Sequence, residues 1–101
     1  MHTARSINKI LIRLTGERWE HIVESHDDLQ AKRSSVLKTI SEPDIIVQGI
    51  QNELLAAKKI RSKWLIVVYK EVTKTDGFII TAFSTSRMHY VLKKEIIWKK
   101  Q

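Results

Sequence analysis

KWLIVVYKEVTKTDGFIITAF, residues 63 to 83, consists of two runs of β-branched and aromatic residues around a short polar joint. Such residues pack well on a pleated, half-covered surface, and two runs of this kind in succession are the signature of paired strands. The joint, TKTDG at 73 to 77, contains the Asp-Gly pair that tight hairpin turns favour, so the segment is predicted to be an antiparallel hairpin. WLIVVY and FIITAF are almost continuously apolar, as strands covered on both faces are, which places them at the centre of a sheet.

On the N-terminal side of this hairpin, DIIVQGI (44 to 50) and ELLAAKKI (53 to 60) read as further strands, with Pro43 closing whatever precedes them. On the C-terminal side, SRMHYVLKK fits either a short helix or a loop, and EIIWKK fits a last strand. Before Pro43 the period changes. KILIRL (9 to 14) is a short strand, and Thr15 or Gly16 then offers a turn and a helix N-cap. Trp19, Ile22, Val23 and His26 recur at i, i+3, i+4 and i+7, the buried stripe of a helix from about Glu17 to Ser25. A second helix is expected from Asp27 or Asp28 to about Thr39, on a weaker stripe of Leu29, Val36, Leu37 and Ile40. The expected class is α+β, with one or two N-terminal helices packed on one face of an antiparallel sheet of about four to five strands and the other face open.

A length of 101 residues fits one small domain, 1–101, with a single core. No apolar run approaches the roughly 18 residues of a membrane span, and MHTARSINK lacks a cleavable apolar leader, so a cytoplasmic location and no membrane partner are expected. The absence of cysteine excludes disulfides, thiolate nucleophiles and thiolate zinc sites. His2, His21, His26 and His89 include no pair spaced by four with a third ligand nearby, so neither a metal nor another cofactor is implied. Eighteen Lys and Arg against eleven Asp and Glu give a charge of +7, which on so small a body favours polyanions such as RNA, DNA or anionic lipid. The excess is clustered: Lys58, Lys59, Arg61 and Lys63 form one group and Lys93, Lys94, Lys99 and Lys100 another. Such groups fit a phosphate track, and equally a solvated strand and turn.

Several segments together resemble a known group. T-x-E-R-W-x-H-I-x-x-x-H at Thr15 to His26, I-x-x-P-D-x-I at Ile40 to Ile46, L-L-A at Leu54 to Ala56, V-V-Y-K-E at Val67 to Glu71, D-G-F-I-I-T-A-F at Asp76 to Phe83 and I-I-W at Ile96 to Trp98 are similar to the phage-associated branch of nucleases that share the barnase, EndoU, colicin and RelE fold. The order of these blocks extends from Leu14 to Lys99, with Asp27 standing where the pattern has a proline. The resemblance implies a metal-independent endoribonuclease, often a toxin neutralised by a partner protein. It implies catalytic residues on the first helix and the central strands, hence His21, His26 and Thr81, assisted by a lysine among Lys58, Lys59 and Lys70.

Cleaving RNA without a metal needs a base for the 2′-hydroxyl proton, an acid for the leaving 5′-oxygen and donors around the charged phosphorane. Histidine, with an ordinary pKa near ~6.5, can serve in either proton role. At about 100° per residue, His21 and His26 lie roughly 140° apart around a helix axis, so both cannot point squarely into one pocket unless the helix ends before His26. One is then catalytic and the other supporting. His26 also fits a buried histidine of the apolar stripe, His21 a member of a surface charge cluster with Glu17 and Arg18, and Thr81 an ordinary strand residue. Trp19 reads as a core anchor. Arg18, Lys58, Lys59, Arg61 and Thr85 are the candidates for binding nucleic acid, although Thr85 and Ser86 equally fit a plain turn. The expected partners are RNA and an acidic antitoxin protein. A non-catalytic nucleic-acid-binding module or a protein-interaction domain is the alternative.

Overall fold

In the computed structural model, which describes residues 1–101, the chain runs β1 (His2–Arg5), β2 (Leu11–Leu14), α1 (Gly16–Ser25), a 3-10 turn (Asp27–Leu29), α2 (Arg33–Ser41), β3 (Ile45–Gln48), β4 (Leu54–Ile60), β5 (Lys63–Glu71), β6 (Gly77–Thr85), α3 (Met88–Leu92) and β7 (Ile96–Lys99). The strands form one sheet in the order β1-β2-β6-β5-β4-β3-β7, so the hairpin of β5 and β6 is central, as its apolar composition requires. The class is α+β. No helix is long and apolar enough to cross a membrane.

The sheet differs from the expected four or five antiparallel strands in number and in kind. It has seven, because it is extended at its two ends by the four-residue strands β1 and β7, which are mostly exposed. It is mixed, because β2 pairs in parallel with β6 through Ile12–Gly77 and Arg13–Phe78. A parallel pair joins elements far apart in sequence and so leaves no local turn signature.

Thr15 caps α1 as expected: its dihedrals are extended and its hydroxyl accepts a 3.1 Å hydrogen bond from the Arg18 backbone N–H. The second helix starts later than its pattern suggested. Leu29 is drawn into the core at the 3-10 turn, and α2 begins only at Arg33, burying Val36 and Ile40. α1 and α2 cover one face of the sheet, where Trp19, Ile22 and Ile40 meet Leu14, Val67 and Tyr69. The opposite face is not open as expected. Met88 and Val91 of α3 close part of it over Ile45, Leu55 and Ile66.

Two details of the central hairpin decide where side chains point. Val68 pairs with Thr81 but Tyr69 pairs with Ile79, so Ile80 is an extra residue, a β-bulge in β6. Strict alternation would group Ile79, Thr81 and Phe83. The bulge instead leaves Ile79 and Ala82 on the helix-covered face and sets Phe78, Thr81 and Phe83 together on the other. The Asp-Gly pair is also used differently from the turn that it suggested. The turn closes through Val72 and Thr73 N–H groups donating to the Asp76 carbonyl, while Gly77 has no positive φ and is the first residue of β6.

Candidate functional site

β2 accompanies β6 only as far as Phe78. Beyond that point α1 takes the place of a strand beside β6: Thr15 and Arg18, at its start, share a cleft with Phe78 and Ile79, and His26, its C-cap, meets Phe83. The helix therefore runs along the edge of the strand that bears Thr81. Trp19 and Ile22 anchor it on the core side, which brings His26, on the same stripe, to the sheet.

The His26 ring is half-buried, with its centroid 6.1 Å from that of Phe83 and the planes tilted by 39°. Its backbone N–H donates to the Ile22 carbonyl and ends the helix, while the side chain takes part in none of the hydrogen bonds within the chain. This histidine is thus neither a solvated surface group nor a satisfied core residue. His21 is exposed on the outer side of α1, and the structure does not bring it to the sheet.

Thr81 stands two residues before Phe83 on the same face, half-buried and paired with Val68. Lys70 is on that face as well, paired with Phe78 and one alternation along from Val68. Phe78 is 37% exposed, which leaves an aromatic surface between Lys70 and the arginines of the neighbouring cleft. That cleft has a volume of about 300 Å³ and is bordered by Arg13 and Arg18. Arg13 is engaged by Asp76 through two hydrogen bonds of 2.8 and 2.9 Å, whereas the Arg18 guanidinium has no carboxylate partner. Phe78, Lys70, Thr81 and Phe83 thus form a strip on one face of the sheet, and α1 reaches its edge with Arg18 at Phe78 and with His26 at Phe83.

The other predicted binding residues do not belong to it. Lys58 and Lys59, read together as part of one cationic run, are separated by strand alternation. The Lys58 ammonium donates to the Glu42 carbonyl beyond α2, and the Lys59 ammonium lies 6.0 Å from the centre of the Trp64 ring on the opposite face. Arg61 lies in the β4–β5 turn and lines a different cleft. The Thr85 hydroxyl accepts from the Arg87 backbone N–H, the turn-forming use of such a residue.

Phe78 and Phe83 were not singled out from the sequence; Phe83 shares the face of Thr81 by plain alternation, whereas only the bulge brings Phe78 to it. No group of three or more His, Asp or Glu side chains is arranged to hold a metal ion. No family model matches the sequence, and no curated protein or solved structure matches it either.

Proposed function

We propose that the chain is a metal-independent endoribonuclease of the toxin type, resembling the barnase, EndoU, colicin and RelE group, in which His26 moves the proton of the 2′-hydroxyl. The observation that supports this reading is the His26–Phe83 contact: it holds an imidazole with free nitrogens at the edge of the strand that carries Thr81. An RNA strand lying on the strip would stack a base on exposed Phe78, an arrangement common to single-strand binders. Its phosphates would meet Arg18 and Lys70, with the Thr81 hydroxyl donating to the phosphorane that forms during in-line attack and solvent water protonating the leaving 5′-oxygen as its bond to phosphorus breaks. An acidic antitoxin protein would neutralise the chain by covering this basic surface.

A second reading, a nucleic-acid-binding module without catalysis, is favoured by one observation: His21 is turned away, so the strip holds a single imidazole. Incubation with end-labelled RNA in the presence of chelator separates the two. Products ending in a 2′,3′-cyclic phosphate, absent with His26→Ala, are expected of the nuclease. Retention of the RNA without products, weakened steeply by salt, would select the binding module.

A further inference from the structure

A second cleft, about 510 Å³ in volume, opens on the helix-covered side of the sheet between the 3-10 turn and the β4–β5 turn. It falls within the roughly 300–1,000 Å³ of ligand-sized clefts. Lys32, Arg61 and Lys63 surround it, the hydroxyls of Ser62 and Ser84 line it, and Ile60 and Leu65 supply apolar wall. The chain's two ion pairs are Arg13–Asp76 and Lys100–Asp44, so none of these three cations is paired, not even with Asp28 at the same rim. Like charges held around one cavity repel, and an anion between them would relieve that repulsion.

Arg61 adds an independent observation. It occupies the first position of a two-residue turn between paired Ile60 and Lys63, with φ at 59°, a left-handed conformation that glycine adopts without strain. Lys9, Gln51 and Asn52 also have positive φ, but of the four only Arg61 has its side chain on this cleft.

The cleft is also next to the strip in the chain. Ser84 directly follows Phe83, and Asp28 lies two residues after His26. A strand passing over the end of β6, from the face of Phe83 to the face of Ser84, would meet the imidazole first and these cations next.

We infer that this cleft binds a phosphodiester segment of a nucleic-acid strand, at a site separate from the face that bears Thr81. For the identity of the phosphate carrier the inference rests on the nucleic-acid reading above. Guanidinium, ammonium and hydroxyl donors around an apolar wall fit a phosphate with its sugar.

The test is fluorescence anisotropy of a labelled single-stranded RNA with the full chain carrying His26→Ala, so that the strand stays intact. Adding Lys32→Gln with Lys63→Gln, or Arg61→Gly, is expected to weaken binding several-fold. For every phosphate left without its cation, the slope of log affinity against log salt should fall by about 0.7. Arg61→Gly should at the same time raise the melting temperature, because it relieves the left-handed strain; a loss of binding in a more stable chain cannot be misfolding. Unchanged affinity and salt slope in these variants, alongside weaker binding by Lys70→Gln, would overturn the cleft assignment and leave the nucleic-acid reading standing. If the parent binds no RNA, the nucleic-acid reading fails, and titration of the isotope-labelled chain with inorganic pyrophosphate decides the cleft. Amide shifts at Arg61, Ser62 and Ser84 would keep it as a phosphate site, and their absence would remove it. Preferential displacement by an oligoglutamate peptide would also overturn it, in favour of an acidic protein.

Discussion

His26, at the end of α1, and Phe83, in β6, face each other with ring centroids 6.1 Å apart, and this contact joins the first helix to the central hairpin. It separates the histidines that the sequence could not. His26→Ala should lower the rate of RNA cleavage by about 10²- to 10⁴-fold, the usual contribution of a positioned acid or base. His21→Ala should leave the rate within a small factor, since that ring is exposed on the far side of the helix. Initial rates on labelled RNA, with melting curves to show that both variants fold, check the pair. Equal losses in the two variants would remove the assignment of His26.

Tyr69 is fully buried between β4 and β6, and its hydroxyl is the one buried side-chain polar atom without a hydrogen-bond partner. Burial, with a smaller effect from Glu71, pushes the phenol well above its ordinary pKa, so it stays neutral. A buried hydroxyl without a partner costs about 1–3 kcal/mol in desolvation. Tyr69→Phe removes that cost and keeps the ring, and is expected to raise the urea midpoint through a gain in unfolding free energy on the order of 1 kcal/mol. A lower midpoint would mean that the hydroxyl is satisfied in solution.

What the sequence made legible follows from where each signal arises. The α1 boundaries were readable because Thr15, Trp19 and Ile22 state cap and stripe within a few residues. The central position of β5 and β6 was readable because their middle stretches, WLIVVY and FIITAF, are almost continuously apolar. The faces of β6 were not, since the bulge at Ile80 resets the alternation and depends on the partner strand as much as on its own sequence. The division of Lys58 from Lys59 was implicit in any strand there, yet the count of cations concealed it. The Arg61 cleft was hidden for another reason: Lys32, Arg61 and Ser84 come from three separate elements and meet only when the sheet and the helices close on one another.

Arg13 and Asp76 join β2 to the turn before β6, and the Arg13 hydrogen bond holds the Asp76 carboxyl below the ordinary carboxylate range. A carboxyl with a lower pKa in the folded chain than in the unfolded one stabilises the fold. That stabilisation is fully present above the unfolded value, near ~3.9, and is lost as pH falls through the folded value. The urea midpoints of wild type and Asp76→Asn should therefore differ at neutral pH and converge at acid pH below the carboxylate range. Because both side chains are partly exposed to solvent, the difference should also shrink in high salt. A constant gap across the whole pH range would show that the pair does not act through its charge.

Gly77 is where the central sheet has least room. A Cβ built there would stand 2.2 Å from the Lys70 carbonyl oxygen and 2.7 Å from Ile12 Cδ1, so β6 is held between β5 on one side and β2 on the other. The nearer neighbour is backbone and cannot rotate away. Because φ is not positive, alanine suits the local conformation, and its effect reports the crowding alone. Overpacking of this kind costs about 1–3 kcal/mol. Gly77→Ala should lower the urea midpoint accordingly, and should loosen the parallel junction of β2 with β6, seen as faster amide exchange at Arg13 and Phe78. If it were neutral, β5 and β6 would part locally at Lys70 and Gly77 to admit the methyl group, and this end of the central hairpin would not be a rigid junction.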